Sequence, residues 1–117
     1  MKPALTRRQL LARHCAVLDA SRASSAAEID AQLANLPGWS LRDGAIERSF
    51  AFRDYHDTIA FVNALAWVVH REDHHPDLQV GYNRCVVRWS THSARGVTDN
   101  DFICAAKTDA VFGRDAH

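Results

Sequence analysis

The chain has 117 residues, of which 47% are hydrophobic and 24% charged, a composition typical of one soluble globular domain. Its fourteen basic and fourteen acidic side chains cancel, so charge gives no support to binding of nucleic acid or an anionic membrane. No apolar run approaches the roughly 20 residues that a membrane span needs. We expect a cytoplasmic protein without a signal peptide. The cysteines Cys15, Cys85 and Cys104 agree with a reducing compartment because they are odd in number and widely spaced.

The first elements are predicted from capping and turn signals. Residues 1–23 have only a partial helical pattern, and we predict a poorly packed extension or a short helix there. The folded domain is expected over residues 24–117. In it, Ser25-Ala26-Ala27-Glu28 is a capping box that begins a helix, and Pro37-Gly38 ends that helix. Asp43-Gly44 then separates two strand-like runs, which is a strong hairpin signal.

A long helix is predicted to begin after Asp54 and to end near Pro76, because apolar residues recur on one helical face between them. Phe61, Trp67 and Val68 lie largely off that face. A helix that is apolar on more than one side is usually buried on more than one side. Either a wide core face or a partner subunit would account for this, and the sequence does not choose between them.

A second pair of strands is predicted over residues 78–82 and 85–91. The capping box Thr98-Asp99-Asn100-Asp101 then begins a final helix. The order α-β-β-α-β-β-α predicts a single α+β domain, with an antiparallel four-stranded sheet that has helices packed on one face.

The richest chemical signal is a group of histidines. Four of the seven histidines lie within 23 residues, at His70, His74, His75 and His92. Imidazole has an unperturbed pKa of about 6.5, so such a group can move protons or bind a metal. A sheet packed on the long helix can bring His92 towards His74 and His75. Asp73 and Asp101 can orient an imidazole by accepting a hydrogen bond from a ring N–H.

Residue types alone leave three alternatives open: general acid–base catalysis, a metal site, or a solvated helix end without function. His70 and His74 share one helical face, as the histidines of HExxH do, and His92 could supply a third ligand. However, Arg71 stands where the catalytic glutamate of that motif would be, and Glu72 comes one place late. The spacing therefore makes a metal site the weaker interpretation.

With these positions laid out, the chain resembles the pterin-4a-carbinolamine dehydratase family over roughly residues 25–113. The resemblance depends on a combined set of motifs in order and spacing: His70-x-x-x-His74-His75-Pro76, Tyr82-Asn83, Ser90-Thr91-His92, Gly96 and Asp101. Three positions depart from it. His70 stands where many members carry Glu, Leu78 replaces a common aromatic residue, and Gly81 lies where a larger residue is frequent.

The resemblance implies a hydro-lyase of tetrahydrobiopterin recycling. Such an enzyme dehydrates a 4a-hydroxytetrahydropterin, the product of aromatic amino acid hydroxylases, to a quinonoid dihydropterin and water. It also implies that no metal or organic cofactor is used and that the protein is a homodimer or homotetramer. The family's catalytic residues correspond to His74, His75, His92 and Asp101, and its substrate-binding residues correspond to Asp73, His75, Pro76, Ser90 and Thr91.

Within that set we expect His74 and His92 to exchange protons, His75 to hold the pterin and Asp101 to orient a histidine. The alternative is a non-enzymatic protein-binding, assembly or dimerisation module of the same fold, since family members also bind protein partners. Relatives of that kind tend to lose the active-site histidines. Their retention here favours the enzyme.

Overall fold

The computed structural model describes the backbone of residues 2–115 and the side chains of residues 2–113. In chain order the elements are α1 (Arg7–Leu11), α2 (Ala26–Leu33), β1 (Ser40–Arg42), β2 (Ala45–Ala51), α3 (Tyr55–Glu72), β3 (Asp77–Val80), β4 (Arg84–Trp89) and α4 (Asp99–Asp115). Short 3₁₀ turns lie at Ala20–Arg22 and His92–Ala94. All strand pairs are antiparallel, and the sheet order is β1-β2-β4-β3. The predicted α+β fold is confirmed.

Both hairpins follow from local turn chemistry. Asp43 and Gly44 have φ of 47° and 78°, and Arg42 pairs with Ala45 across them. Two consecutive positive φ values at the centre of a two-residue loop are those of a type I′ turn, which explains why Asp-Gly occurs there. In the second hairpin the turn is longer, and the Gly81 N–H donates to the carbonyl of Arg84 over 2.8 Å.

The core lies between one face of the sheet and the helices. Alternate residues of β4 point into it, and Cys85, Val87 and Trp89 are all fully buried. Phe50 of β2 packs against Phe61 of α3 with ring centroids 5.0 Å apart. This packing holds α3 against the sheet, so the carboxyl ends of α3 and β4 are fixed relative to each other.

The structure shows where Phe61, Trp67 and Val68, the apolar residues off the main face of α3, lie. The Asp54 carboxylate caps the helix by accepting from the Asp57 N–H over 2.8 Å. Phe61 is fully buried in the core and Val68 is half-buried, whereas Trp67 is 74% exposed. The wide core face therefore accounts for Phe61 and leaves Trp67 outside it.

Among the residues that the structure describes, no helix combines the length and apolar character that crossing a membrane would need.

Residues 1–23, predicted as a poorly packed extension or a short helix, contain the short helix α1. Thr6 caps α1 through a capping box, and Leu10 is fully buried in the main core. A guanidinium nitrogen of Arg7 lies 3.0 Å from the Asp109 carboxylate of α4, which also accepts from Trp39 and Arg48. These contacts fasten the N-terminal segment onto the domain. The predicted division between residues 23 and 24 stays a prediction.

Candidate active site

The conformation at the end of α3 determines where the adjacent residues His74 and His75 lie. Asp73 takes the left-handed conformation, with φ 50° and ψ 44°, and its N–H donates to the carbonyl of Val69. The helix therefore ends three residues before Pro76, and His74 and His75 lie on the extended link to β3. Side chains of such a link are not tied to the 100° spacing of a helix, so both can face one cleft.

The buried carboxylate of Asp101 holds the His74 ring through a hydrogen bond. Nε2 of His74 lies 2.7 Å from Oδ1 of Asp101, and because a carboxylate only accepts, Nε2 carries the hydrogen. The imidazole also stacks on the indole of Trp89, with centroids 5.3 Å apart and planes 20° apart. Only 12% of the His74 side chain is exposed. The ring is thus fixed in position and tautomer, and Nδ1 is the nitrogen left for exchange with a ligand.

Asp101 is itself fixed by further donors. Its Oδ2 accepts from the Thr91 hydroxyl over 2.8 Å and from the Thr98 N–H over 2.9 Å. Because the Thr91 hydroxyl donates to Asp101, the Thr98 hydroxyl, 2.8 Å away, must donate to Thr91. Asp101 is fully buried in the first turn of α4, where the helix dipole also favours a carboxylate. We call His74, Trp89, Asp101, Thr91 and Thr98 the floor of the site.

His75 and His92 form the exposed rim. Their ring centroids are 6.1 Å apart, and both side chains are open to solvent. His92 begins the 3₁₀ turn that follows β4, and the Thr91 N–H anchors that turn by donating to the Gly96 carbonyl over 2.8 Å. The structure thus brings His74, His75 and His92 to one place, as the sequence suggested that the fold could.

A cleft of about 380 Å³ opens above the floor. Its lining includes the predicted residues Asp73, His74, His75, Thr91 and His92. Asp101 is fully buried outside the lining and contacts His74, and its role of orienting a histidine stays a prediction. Pro76 and Ser90 lie outside the lining, and their assignment to substrate binding stays a prediction.

Sequence reasoning missed one whole wall of this cleft. Residues Cys15–Leu18 line it together with Glu72, Ser93 and Asn100. Glu72 accepts from the Cys15 N–H over 2.7 Å and lies 2.8 Å from Nδ1 of His14. Burial alone would raise the pKa of Glu72, but these hydrogen bonds and the charge of Lys107 outweigh it and lower the pKa. The partial helical pattern of residues 1–23 contained no signal for these contacts.

The two buried cysteines, Cys85 and Cys104, are poor candidates for nucleophilic catalysis. The sulfur atoms of Cys15 and Cys104 lie 3.5 Å apart, and their hydrogen bond, together with burial, strongly raises the pKa of Cys104. Burial likewise raises the pKa of Cys85. Because the thiolate is the reactive form, Cys85 and Cys104 are unreactive at neutral pH.

The structure does not bring the suggested metal ligands together. His74 already engages Asp101 through Nε2, and His70 is exposed on α3 outside the cleft lining. Among the described residues, the side chains close enough to share a cation are Asp54, His56 and Asp57 at the start of α3. His70, His74 and His92 do not form such a group, so geometry within residues 2–113 gives the metal alternative no support.

Comparisons with known proteins point to one family. A model of the family described as pterin 4 alpha carbinolamine dehydratase matches residues 22–111. A Stenotrophomonas maltophilia protein named "Putative pterin-4-alpha-carbinolamine dehydratase" is 62% identical over 81 residues, which cover 68% of this chain and 70% of that protein. A protein of the same name from Bdellovibrio bacteriovorus is 58% identical over 90 residues, covering 74% and 75%.

Solved structures agree with this. A transcriptional coactivator/pterin dehydratase from Brucella melitensis has 36% identity and a TM-score of 0.73, covering 76% of this chain and 97% of its own. A pterin dehydratase-like protein identified as a RuBisCO assembly factor in the alpha-carboxysome shares the fold at 24% identity and a TM-score of 0.54, covering 64% and 87%. With its histidine cleft and a family match over most of its length, the chain belongs to the pterin 4 alpha carbinolamine dehydratase family.

Proposed function

We propose that this protein dehydrates a 4a-hydroxytetrahydropterin to a quinonoid dihydropterin and water by histidine acid–base catalysis. One observation carries the proposal: three imidazoles surround a single cleft, and a buried carboxylate holds one of them. The names of the relatives support the same substrate class. We infer a place in tetrahydrobiopterin recycling, in the cytoplasm, from the family and from three cysteines that are free in the structure.

The reaction needs an acid and a base, and it needs no oxidant. The C4a–O bond breaks after the hydroxyl receives a proton, and water leaves. N5 gives up its proton and forms a double bond to C4a. The pterin therefore loses water without any net oxidation or reduction. An imidazole near its ordinary pKa serves either step, and each well-placed acid or base contributes about 10²–10⁴-fold.

The geometry suggests how the histidines divide these steps. We assign His74 as the base for N5–H, because the Asp101 carboxylate stabilises the imidazolium that proton uptake through Nδ1 would create. We assign His92 as the acid for the departing hydroxyl, because its exposed ring can exchange protons with water between turnovers. His75, across the rim from His92, holds the pterin.

The substrate-binding part of the proposal concerns the polar groups at the edge of the cleft. Asp73 is exposed and lines the cleft, and its carboxylate suits the N–H donors of a pterin's aminopyrimidinone edge. Thr91 lines the cleft but its hydroxyl is engaged by Asp101, so it shapes the cleft through its backbone and methyl group. Pro76 and Ser90 support the two loops that carry the histidines.

We further propose that the protein self-associates as a homodimer or homotetramer. Trp67 is 74% exposed and lines a groove of about 550 Å³ between α1, α3 and α4. The other lining residues are the apolar Leu11, Ala64, Val68, Ala110 and Val111 and the charged Arg71, Glu72 and Lys107. A large exposed indole on such a surface commonly marks an interface. Light scattering on the eluting protein should give the mass of a dimer or tetramer, and Trp67→Glu should reduce it. A wild-type monomer would contradict this.

The same exposed indole favours a second function, a protein-binding module. The Brucella relative carries "transcriptional coactivator" in its name, which describes that protein. A binding module would keep its partner interaction when a rim histidine is lost but would lose it in Trp67→Glu. A dehydratase would behave in the opposite way in an activity assay, so the two variants separate the two functions.

The direct test is the rate at which freshly generated 4a-hydroxytetrahydropterin loses water, followed by absorbance. We expect the wild-type protein to exceed the spontaneous rate and His92→Ala to lose about 100-fold of that acceleration. His56→Ala is the matched control, because His56 is an exposed histidine at the other end of α3. A folded wild-type protein that does not accelerate the reaction would overturn the dehydratase proposal.

A further inference from the structure

The segment His14–Leu18, which we call the strap, contributes Cys15–Leu18 to the lining of the cleft and is fixed to α3. Its first anchor is Glu72 in the last turn of α3, which is almost fully buried. The two carboxylate oxygens of Glu72 divide between the Cys15 N–H, at 2.7 Å, and Nδ1 of His14, at 2.8 Å. Charge-assisted bonds of this kind are about twice as strong as neutral ones.

The second anchor is an amide pair with α4. Oδ1 of Asn100 accepts from the Ala16 N–H over 3.0 Å, and its Nδ2 donates to the Ala16 carbonyl over 2.6 Å. Asn100 is buried although it is a polar residue next to the catalytic cleft. A third anchor holds the far end, where the Ser93 hydroxyl donates to the carbonyl of Leu18. The strap is therefore bonded to both helices and to the turn that carries His92.

Between two anchored residues, Val17 is held fully open to solvent. Its relative exposure is 101%, yet it belongs to the lining of the cleft. Ala16 on one side and Leu18 on the other are both hydrogen-bonded through their backbones, so Val17 is presented on a fixed frame. An ordered apolar side chain that packs on nothing and borders a polar cleft is placed to contact whatever enters the cleft.

We propose that the strap is the outer wall of the pterin-binding cleft and that Val17 contacts the bound substrate. A pterin presents polar edges and two flat faces, so a cleft that binds it has to offer apolar surface beside its polar groups. Val17 offers that surface, whereas α3, the link to β3, the turn after β4 and α4 line the cleft with imidazoles, carboxylates, hydroxyls and an amide. The strap lies before residue 22, outside the part of the chain that the family match covers. Substrate affinity is therefore set partly by this chain's own N-terminal segment.

This inference rests on the proposed function, and it is tested by comparing Val17→Asp with wild-type protein. Because Val17 packs on nothing, the substitution leaves the fold intact. We expect KM for the 4a-hydroxytetrahydropterin to rise about tenfold, the size of losing one apolar contact, with kcat within about twofold of wild type. The matched control is Leu41→Asp, an exposed apolar residue on β1 outside the cleft, which should leave both constants unchanged.

A second readout is the equilibrium affinity for a tetrahydropterin that lacks the 4a-hydroxyl. Its Kd should rise by the same factor as KM in Val17→Asp. If wild-type protein is active and Val17→Asp leaves both KM and Kd unchanged, the strap does not contact the substrate and this inference is wrong. If wild-type protein neither accelerates dehydration nor binds the pterin, the proposed function itself is wrong and the inference falls with it.

Discussion

The floor and the strap bound the same cleft in different ways. The floor holds His74 with a fully buried carboxylate that accepts bonds from an imidazole, a hydroxyl and a backbone N–H. The strap is joined to Glu72 and Asn100 by hydrogen bonds, and its Val17 side chain is open to solvent at the cleft. Loss of a floor bond leaves buried groups without a partner on both sides, whereas loss of a strap bond leaves Glu72 or Asn100 buried but lets water reach the backbone of the strap. The proposed chemistry thus involves the region whose bonds are buried on both sides, and the proposed recognition involves the region whose backbone water can reach.

The largest effect is expected from Asp101→Asn in the floor. Asparagine keeps one oxygen for His74 but turns an NH₂ group towards the hydroxyl of Thr91 and the N–H of Thr98, which then lack an acceptor. We expect the free energy of unfolding to fall by about 2–3 kcal/mol and the turnover rate to fall about 100-fold. Urea denaturation and the dehydration assay measure the two effects.

Asp99→Asn is the control for that variant. Asp99 also lies in the first turn of α4, but it pairs with Lys2 at the surface over 2.9 Å. A surface pair of this kind contributes about 0–1 kcal/mol, so stability and turnover should be nearly unchanged. If Asp101→Asn behaved like Asp99→Asn, the floor would not have the role assigned to it.

An intermediate effect is expected from Glu72→Gln, which weakens the first strap anchor. The pKa of Glu72 is lowered from 4.5 in the folded protein, so its stabilisation is present above about pH 4.5 and is lost as pH falls through the folded-state pKa. We expect the variant to be less stable than wild type by about 1–2 kcal/mol at pH 7. That difference should shrink in urea titrations repeated at progressively lower pH. A difference that is independent of pH would show that the charge of Glu72 is not what holds the strap.

The smallest effect is expected from His14→Ala. The His14 side chain is 68% exposed, and Glu72 keeps its bond from the Cys15 N–H when the imidazole is removed. Stability should change by about 0.5 kcal/mol or less. Hydrogen exchange of the Cys15 amide should be faster in Glu72→Gln and close to wild type in His14→Ala. Equal acceleration in both would mean that the imidazole, and not the backbone N–H, is the main partner of Glu72.

Much of the fold could be predicted because its signals are local. Asp43-Gly44 predicted a turn that needs two positive φ values, and Asp54 predicted the start of α3 through its own carboxylate. The strand predicted over residues 85–91 agrees with β4, whose alternate residues Cys85, Val87 and Trp89 are buried. For the site, the motif around His74, His75 and His92 was visible because all three belong to two short segments joined by one hairpin.

The end of α3 and the outer wall were not predictable in the same way. Pro76 suggested where the helix ends, but the left-handed turn at Asp73 ends it earlier, and aspartate at such a position has no unique sequence signature. The bonds from Glu72 to residues 14 and 15 join parts of the chain separated by 58 and 57 positions. Neither partner lies on a periodic pattern, so only the folded structure brings them together.

The most direct test of the account is the turnover of freshly generated 4a-hydroxytetrahydropterin by wild-type protein and by His75→Ala. His75 is exposed on the rim and its loss leaves the buried floor intact, so a change in rate reports on the cleft and not on folding. We expect wild-type protein to accelerate the reaction and His75→Ala to lose most of that acceleration while unfolding at the same urea concentration. A variant as active as wild type, or a folded wild-type protein no faster than the spontaneous reaction, would contradict it.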